Sequence, residues 1–521
     1  MKRISVISGK SNQANTKGNR EKSMKAQNHP LDHQIQSAKT PPGRLRHAAL
    51  LSAGGFLTGL YLASVGAALG AGPGQAQWPQ WRGPLATGVA PQGDPPTSWS
   101  ETENVKWKVK LPGRGTSTPI IWGNQIFIQT AIAVAKKEEP PTEKKSAAIS
   151  APSLFGLQQA PGDPPPGGGQ PRRRGGPGGG FGGRGEKPTE TQQFVLLSID
   201  RATGQTQWQR RVREEVPHEG HHPDHGFASH SPVTDGQLVF SWFGSRGLHC
   251  YDMKGGLKWE KDLGKLRSAN GFGEGNSPAL LGNTLVVNWD HEGDDFIAAF
   301  DKQTGRELWR QPRDEKTTWT TPLIVEHEGK PQVVVCASQR IRSYDLATGQ
   351  QIWECGGLTA NVIPTPVSGF GMVYATSGFR GNALLAIKLG RTGSLTDSDA
   401  IAWQHGKSTP YVPSPLLYGD RLYFLAGNNA VLSCFEAKTG QPLFSEERLE
   451  GPSGFYASPV GAGGRVYLVG RNGTSLVLKN SGKLEILATN RLDDKFDASP
   501  AVAGKELFLR GHQSLYCVAE K

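Results

Sequence analysis

Asp301-Lys302-Gln303-Thr304-Gly305-Arg306-Glu307-Leu308-Trp309 is the stretch from which the fold can be read. Its pattern, Asp-x-x-Thr-Gly-x-x-x-Trp, returns intact at Asp200/Thr203/Gly204/Trp208 and at Asp345/Thr348/Gly349/Trp353. It is one residue shorter at Asp252/Gly255/Trp259, softened at Glu436/Thr439/Gly440/Phe444, and eroded around Trp403 and Leu487. The chemistry is that of a turn. The Asp carboxylate accepts backbone N–H groups, and Gly supplies a positive φ. The Trp that follows offers a broad apolar face to a neighbour. The periodic placement of Trp107, Trp208, Trp259, Trp309, Trp353 and Trp403 therefore points to structural docking.

A second signal has the same period. A Ser/Thr-Pro pair followed by an apolar run occurs at Thr118-Pro119, Ser231-Pro232, Ser277-Pro278, Thr321-Pro322, Thr365-Pro366, Ser414-Pro415, Ser458-Pro459 and Ser499-Pro500. Successive prolines are 113, 46, 44, 44, 49, 44 and 41 residues apart. Removing about 60 low-complexity residues brings the long step into line. Pro is tolerated at a first strand position. After it come a Gly turn such as Gly419-Asp420, an alternating strand such as Arg421-Leu422-Tyr423-Phe424-Leu425, and the strand that enters the Asp/Trp motif. Four strands per unit of about 45 residues describe a propeller blade. The expectation is an all-β fold, an eight-bladed β-propeller of four-stranded antiparallel blades. The eighth unit, 499–521, holds only three strands. The run 104–109, with Trp107, reads as its missing fourth strand, and pairing it with 515–518 closes the ring through the N- and C-terminal strands.

The Asp/Trp repeat resembles the tryptophan-docking motif of the pyrroloquinoline-quinone (PQQ) repeat superfamily. That group includes quinoprotein alcohol dehydrogenases and the BamB-type propeller of outer-membrane assembly. The leader Trp78-Pro79-Gln80-Trp81-Arg82-Gly83-Pro84 is similar to the start of exported PQQ-like propellers. The resemblance spans about residues 78–521 without the insertion, and it carries both enzymes and scaffolds. For an enzyme it implies PQQ stacked between a Trp and a vicinal disulfide, with Ca2+ or a lanthanide and a catalytic Asp alongside. The chain has no adjacent Cys pair, though Trp319 could supply a stacking face. Cys250, Cys434 and Cys517 fall at one place in three repeats and read as core filler, and a Cys336–Cys355 disulfide is not expected.

Further out, four segments follow in order. Residues 1–76 form a basic tail plus a signal peptide or membrane anchor. Residues 77–104 are a leader wrapping the propeller, 105–521 are the propeller, and 134–190 are an insertion within blade 1. Arg44 and Arg46 precede an uncharged Ala/Leu/Gly run at 48–71, and Gly74-Gln75-Ala76 offers a small-x-small cleavage site. Met24 is an alternative start. The run is just long enough to span if retained, which would attach the protein to the membrane. Export to the periplasm or cell envelope is the expectation. The net charge of +12 is concentrated in 1–46 and 136–190; elsewhere 39 basic residues meet 38 acidic ones. Charge therefore gives no reason to expect nucleic acid as a partner. The insertion, with Pro164-Pro165-Pro166 and Arg172-Arg173-Arg174, cannot bury enough apolar surface to order itself. Its Phe181-Gly182-Gly183-Arg184-Gly185 is RGG-like, but with export a flexible tether or a contact for envelope polymers is the plainer use.

Strand direction puts the Thr-Gly turns on one face and the loops that precede Ser/Thr-Pro on the other. The second face, the top, holds most of the unusual residues. They include His218-Glu219-Gly220-His221-His222-Pro223-Asp224-His225 and His230, and the acidic run with Asp290, Glu292 and Asp294. Imidazoles beside carboxylates suit transition metals, and acidic runs suit Ca2+. Gly and Pro break the spacing of the first, and the second lacks an EF-hand pattern. Glu274, Trp319, Asn361, Arg380, Tyr411, Tyr456, Asp493, Asp494 and Asp497 complete a polar, partly aromatic binding face. Three readings remain open: a non-catalytic scaffold binding an envelope protein or other macromolecule, a PQQ/Ca2+ oxidoreductase, and a metal-binding propeller using 218–230.

Overall fold

A computed structural model describes residues 76–134 and 187–520. The basic tail, Met24, the apolar run at 48–71, Gly74 of the cleavage motif and the insertion between 135 and 186 lie outside the described residues. Among those described, no helix is long and apolar enough to cross a membrane.

Eight antiparallel sheets follow the eight sequence units. Blade 1 is built from Ile120–Trp122, Gln125–Ala133, Gln192–Asp200 and Thr206–Glu215. The insertion therefore leaves between its second and third strands, which Val134 and Thr191 hold together by a 2.9 Å backbone bond. Blade 8 combines Ala501–Ala503, Glu506–Arg510 and Ser514–Val518 with the early strand Val105–Lys110. Val105 pairs with Val518 and Val109 with Leu515. The core lies between blade faces, and one cluster joins Tyr467 of blade 7, Tyr516 of blade 8 and Leu197 of blade 1.

The docking motif works across blades. The Asp301 carboxylate accepts from the N–H and hydroxyl of Thr304, both at 2.9 Å, and shapes the turn. Gly305 there has φ 68°, and a Cβ on it would lie 2.7 Å from the Trp259 ring of the preceding blade. The Trp259 indole N–H then donates to the Lys302 carbonyl at 2.9 Å. Trp107, Trp208, Trp309 and Trp403 repeat this bond to Arg201, Met253, Leu346 and Ala437. Trp353 departs from it because the next blade has no Asp/Thr-Gly turn to receive its indole. It is fully buried and bonds Gln332 of its own blade, while Gly393–Ser394 adds a parallel strand at that edge.

The leader does not circle the ring. Trp78 forms a bridge with Ile121 of blade 1, and the Pro79 carbonyl accepts from Thr234 of blade 2. Trp81 then donates to Thr365, which opens blade 5, and Arg82 donates to the carbonyls of Pro415 and Pro459. Five residues thus reach from blades 1 and 2 to the opposite side, across the axis. Val89–Ala90 next adds a parallel strand to the inner edge of blade 7. Trp99 stacks on Tyr467 before the chain joins blade 8.

Candidate functional site

The Ser/Thr-Pro repeat does more than open strands. The Thr118 N–H donates to the Ser231 hydroxyl at 2.9 Å, and Ser231, Ser277, Thr321, Thr365, Ser414 and Ser458 each donate likewise to the next blade, at 2.9–3.3 Å. Seven hydroxyls, ending with Ser499, form a belt around the axis. The eighth step is not made, and the Thr118 hydroxyl oxygen is buried without a partner. Near that seam Arg510 donates to the carbonyls of Ser117 and Gln129. It is fully buried without a carboxylate, and burial lowers its guanidinium to about 9.

Above the belt lies a cavity of about 620 Å³, lined by all seven belt residues. Trp81 forms its floor, held by the 3.0 Å bond to Thr365. Phe272, Trp319, Phe379, Tyr411 and Tyr456 add aromatic wall. Phe379 and Tyr411 stack at 5.0 Å. The indole N–H of Trp319 donates to Gly273 at 2.7 Å, which fixes the ring. Asn361 and Arg380 also line the wall, and both take a left-handed backbone at φ 53°. The Arg380 guanidinium lies 5.4 Å from the Phe379 ring centre.

Charge on the wall is largely cancelled within it. Arg471 bonds Asp224 at 2.8 Å and Asp497 at 2.7 Å, and lies 3.9 Å over the Tyr456 ring. Tyr456 donates to Asp224 at 3.0 Å, and His512 meets Asp497 at 2.8 Å. Burial pushes both carboxyls up, but Arg471, with Tyr456 and His512, brings each below its usual range. Burial, helped by His221 and His222, lowers His225 to about 4, so its imidazole is neutral near pH 7.

Six of the residues expected on the top face line this one cavity: Trp319, Asn361, Arg380, Tyr411, Tyr456 and Asp497. His222 and His225 join them. Glu274 and Asp494 do not. Glu274 is buried under the loops, bonded to Arg246 at 2.8 Å and to the Ser245 N–H at 2.6 Å. Asp494 binds the N–H groups of Lys495 and Ser514 and so ties two loops together. Both carboxylates satisfy buried polar groups, a need that sequence alone cannot separate from ligand binding.

The expected metal ligands do not come together as one set. His218 donates to the Leu266 carbonyl at 2.6 Å, and His221 to that of His222 at 2.8 Å. Asp290 is fully buried in a bidentate pair with Arg313 and accepts from Thr318. Glu292 binds Thr317, and Asp294 is exposed. Among the described residues the one His/acid group of suitable spacing is His218, Glu219 and Glu274, within 4.8 Å of one another. Its carboxylates already serve Ser268, Ser245 and Arg246. Trp81, Phe272, Phe379 and Arg471 were not foreseen. Trp81 could have been noticed as a second Trp in the leader that falls in no blade.

Residues 192–389 match the family model of the outer membrane protein assembly factor BamB. In fold, the chain is an eight-bladed β-propeller. The quinohemoprotein alcohol dehydrogenase of Comamonas testosteroni superposes on this propeller with a TM-score of 0.52 at 9% identity, over 86% of this chain and 81% of that one. A europium-containing methanol dehydrogenase gives 0.51 at 8%, over 84% and 90%. BamB from Moraxella catarrhalis gives 0.45 at 14%, over 62% and 91%. At these identities the likeness concerns fold. No curated protein matches the chain in sequence.

The propeller's residues do not fit the quinone and metal that the repeat's resemblance to PQQ enzymes implies. Trp81 and Trp319 offer flat faces, but all five cysteines are buried as free thiols and none lines the cavity. The wall carboxylates Asp224 and Asp497 are both held by Arg471, whereas Ca2+ needs six to eight oxygen ligands.

Proposed function

We propose that this propeller is an exported, non-catalytic binding protein of the cell envelope, which receives part of a protein or other macromolecule in its axial cup. One observation carries the reading. Loops from several blades bring Trp319, Asn361, Arg380, Tyr411 and Tyr456 around a single cavity, and the leader's Trp81 closes the floor. A cavity with aromatic walls and a few convergent polar groups is the usual form of a binding site. The wall carboxylates Asp224 and Asp497 are engaged by Arg471, Tyr456 and His512, which favours recognition over proton transfer by them. Export is supported by the apolar run at 48–71 and by the outer-membrane role in the name of the matching family model.

Site-specific cross-linking tests this. The native cysteines are buried, so Asn361→Cys carries a thiol-directed photo-cross-linker at the cup. Gln303→Cys, on an exposed Thr-Gly turn, is the control. In intact cells the first should capture an envelope component and the second should not. Equal capture from both, or none from the first, contradicts the proposal.

A further inference from the structure

We infer that the axial cup takes the terminal unit of a neutral saccharide chain; this rests on the cup being the binding site, as proposed above. The argument begins with hydrogen bonds that are left over. A hydroxyl has one hydrogen to give and two lone pairs. Each of the seven belt hydroxyls spends a lone pair on a neighbour's N–H, yet among the described residues none of the seven donates its own hydrogen to a protein atom. All seven line the cavity. The floor therefore presents O–H donors in search of oxygen acceptors.

The wall is of the opposite kind. Asp224 and Asp497 keep lone pairs beyond those used by Arg471, Tyr456 and His512, and Asn361 adds an amide that both donates and accepts. An acceptor-only ligand, such as a carboxylate, would suit the floor but meet two aspartates on the wall. A donor-only cation would suit the aspartates but meet the hydroxyl hydrogens and Arg380. Ligand hydroxyls serve both surfaces, because each gives and takes. The aromatic faces of Trp81, Trp319 and Tyr411 provide flat apolar area for the C–H face of a sugar ring. The formal charges of Asp224 and Asp497 are balanced by Arg471, which pairs with both, and by Arg380 across the cup, so a neutral ligand leaves the charge of the site balanced. Closure of the floor by Trp81 means that a chain enters by one end.

The test is titration of the purified propeller with neutral gluco-, galacto- and manno-disaccharides and with chitobiose, read by calorimetry and tryptophan fluorescence. Citrate and choline serve as the anionic and cationic comparisons. At least one disaccharide should bind saturably and change the fluorescence. Tyr411→Ala and Asn361→Ala should each weaken that binding at least tenfold with unchanged far-UV circular dichroism, while Gln303→Ala should leave it intact. Citrate or choline binding that depends on Tyr411, with no disaccharide bound, overturns the saccharide and spares the cup. Disaccharide binding indifferent to both cup variants overturns the inference by placing the sugar elsewhere. If no probe binds while Asn361→Cys still captures a protein, the saccharide falls and the broader proposal stands.

Discussion

The indole N–H of Trp107 donates to the carbonyl of Arg201 at 3.0 Å, which docks the eighth blade onto the first. Trp107 comes from the early strand of blade 8, so this bond uses the geometry of the Trp208, Trp259, Trp309 and Trp403 docks to join the two ends of the repeat array. Trp107 also packs against Gly204, where a Cβ would come within 2.9 Å of its ring. Trp107→Ala should cost about 3–5 kcal/mol. Trp107→Phe should cost less, because the hydrogen bond is lost and most of the packing stays. Denaturant unfolding followed by circular dichroism checks the order. Gly305→Ala should also destabilise, since it adds contact with Trp259 at a positive φ.

Arg82 is the leader's anchor. Its guanidinium is fully buried and donates to the carbonyls of Pro415 and Pro459, both at 2.7 Å. Arg82→Ala leaves buried carbonyls unpaired, at about 1–3 kcal/mol for each group. The expected result is a leader that limited proteolysis cuts between residues 78 and 94 at concentrations that spare the parent protein.

Acid should destabilise the top loops through their histidines. Burial lowers His225 to about 4 and His230 to about 3. In the unfolded chain these groups titrate near 6.5. Below that pH the unfolded state binds more protons, so stability is full above about 6.5 and falls as pH drops towards the folded values. Each group contributes a slope of up to about 1.4 kcal/mol per pH unit. Melting temperatures between pH 7 and 4 should fall less steeply in His230→Gln than in the parent.

Asp290 separates a structural from a metal-binding role. Asp290→Ala removes the partner of the fully buried Arg313 and should cost about 3–5 kcal/mol. That loss should be the same with and without EDTA. A chelator effect present in the parent and absent in the variant would show that Asp290 holds a metal.

The ring was legible because its signals repeat. Asp301, Thr304, Gly305 and Trp309 recur with fixed spacing, and each has a local reason to be where it is. The belt was half legible: a hydroxyl precedes Pro in all eight units, but its partner lies about 44 residues away in the next blade, beyond any local rule. Trp319, Asn361, Arg380, Tyr411 and Tyr456 were found through the face on which their loops emerge. Glu274, Asp290 and Asp494 were drawn in by the same rule although they satisfy buried donors, because a polar loop residue looks alike in either role. The path of Trp81 and Arg82 across the axis carries no periodic mark at all.

The most direct measurement concerns the closed ring, from which the faces and the cup both follow. Lys110 and Ser514 are Cα partners on adjacent strands of blade 8, one from the start of the propeller and one from its C-terminal end. Lys110→Cys with Ser514→Cys should oxidise to an intramolecular disulfide, seen as a reducible mobility shift in gels, with native circular dichroism retained. Two thiols that stay free and react separately with maleimide under oxidising conditions would contradict the closed ring, and with it the axial cup.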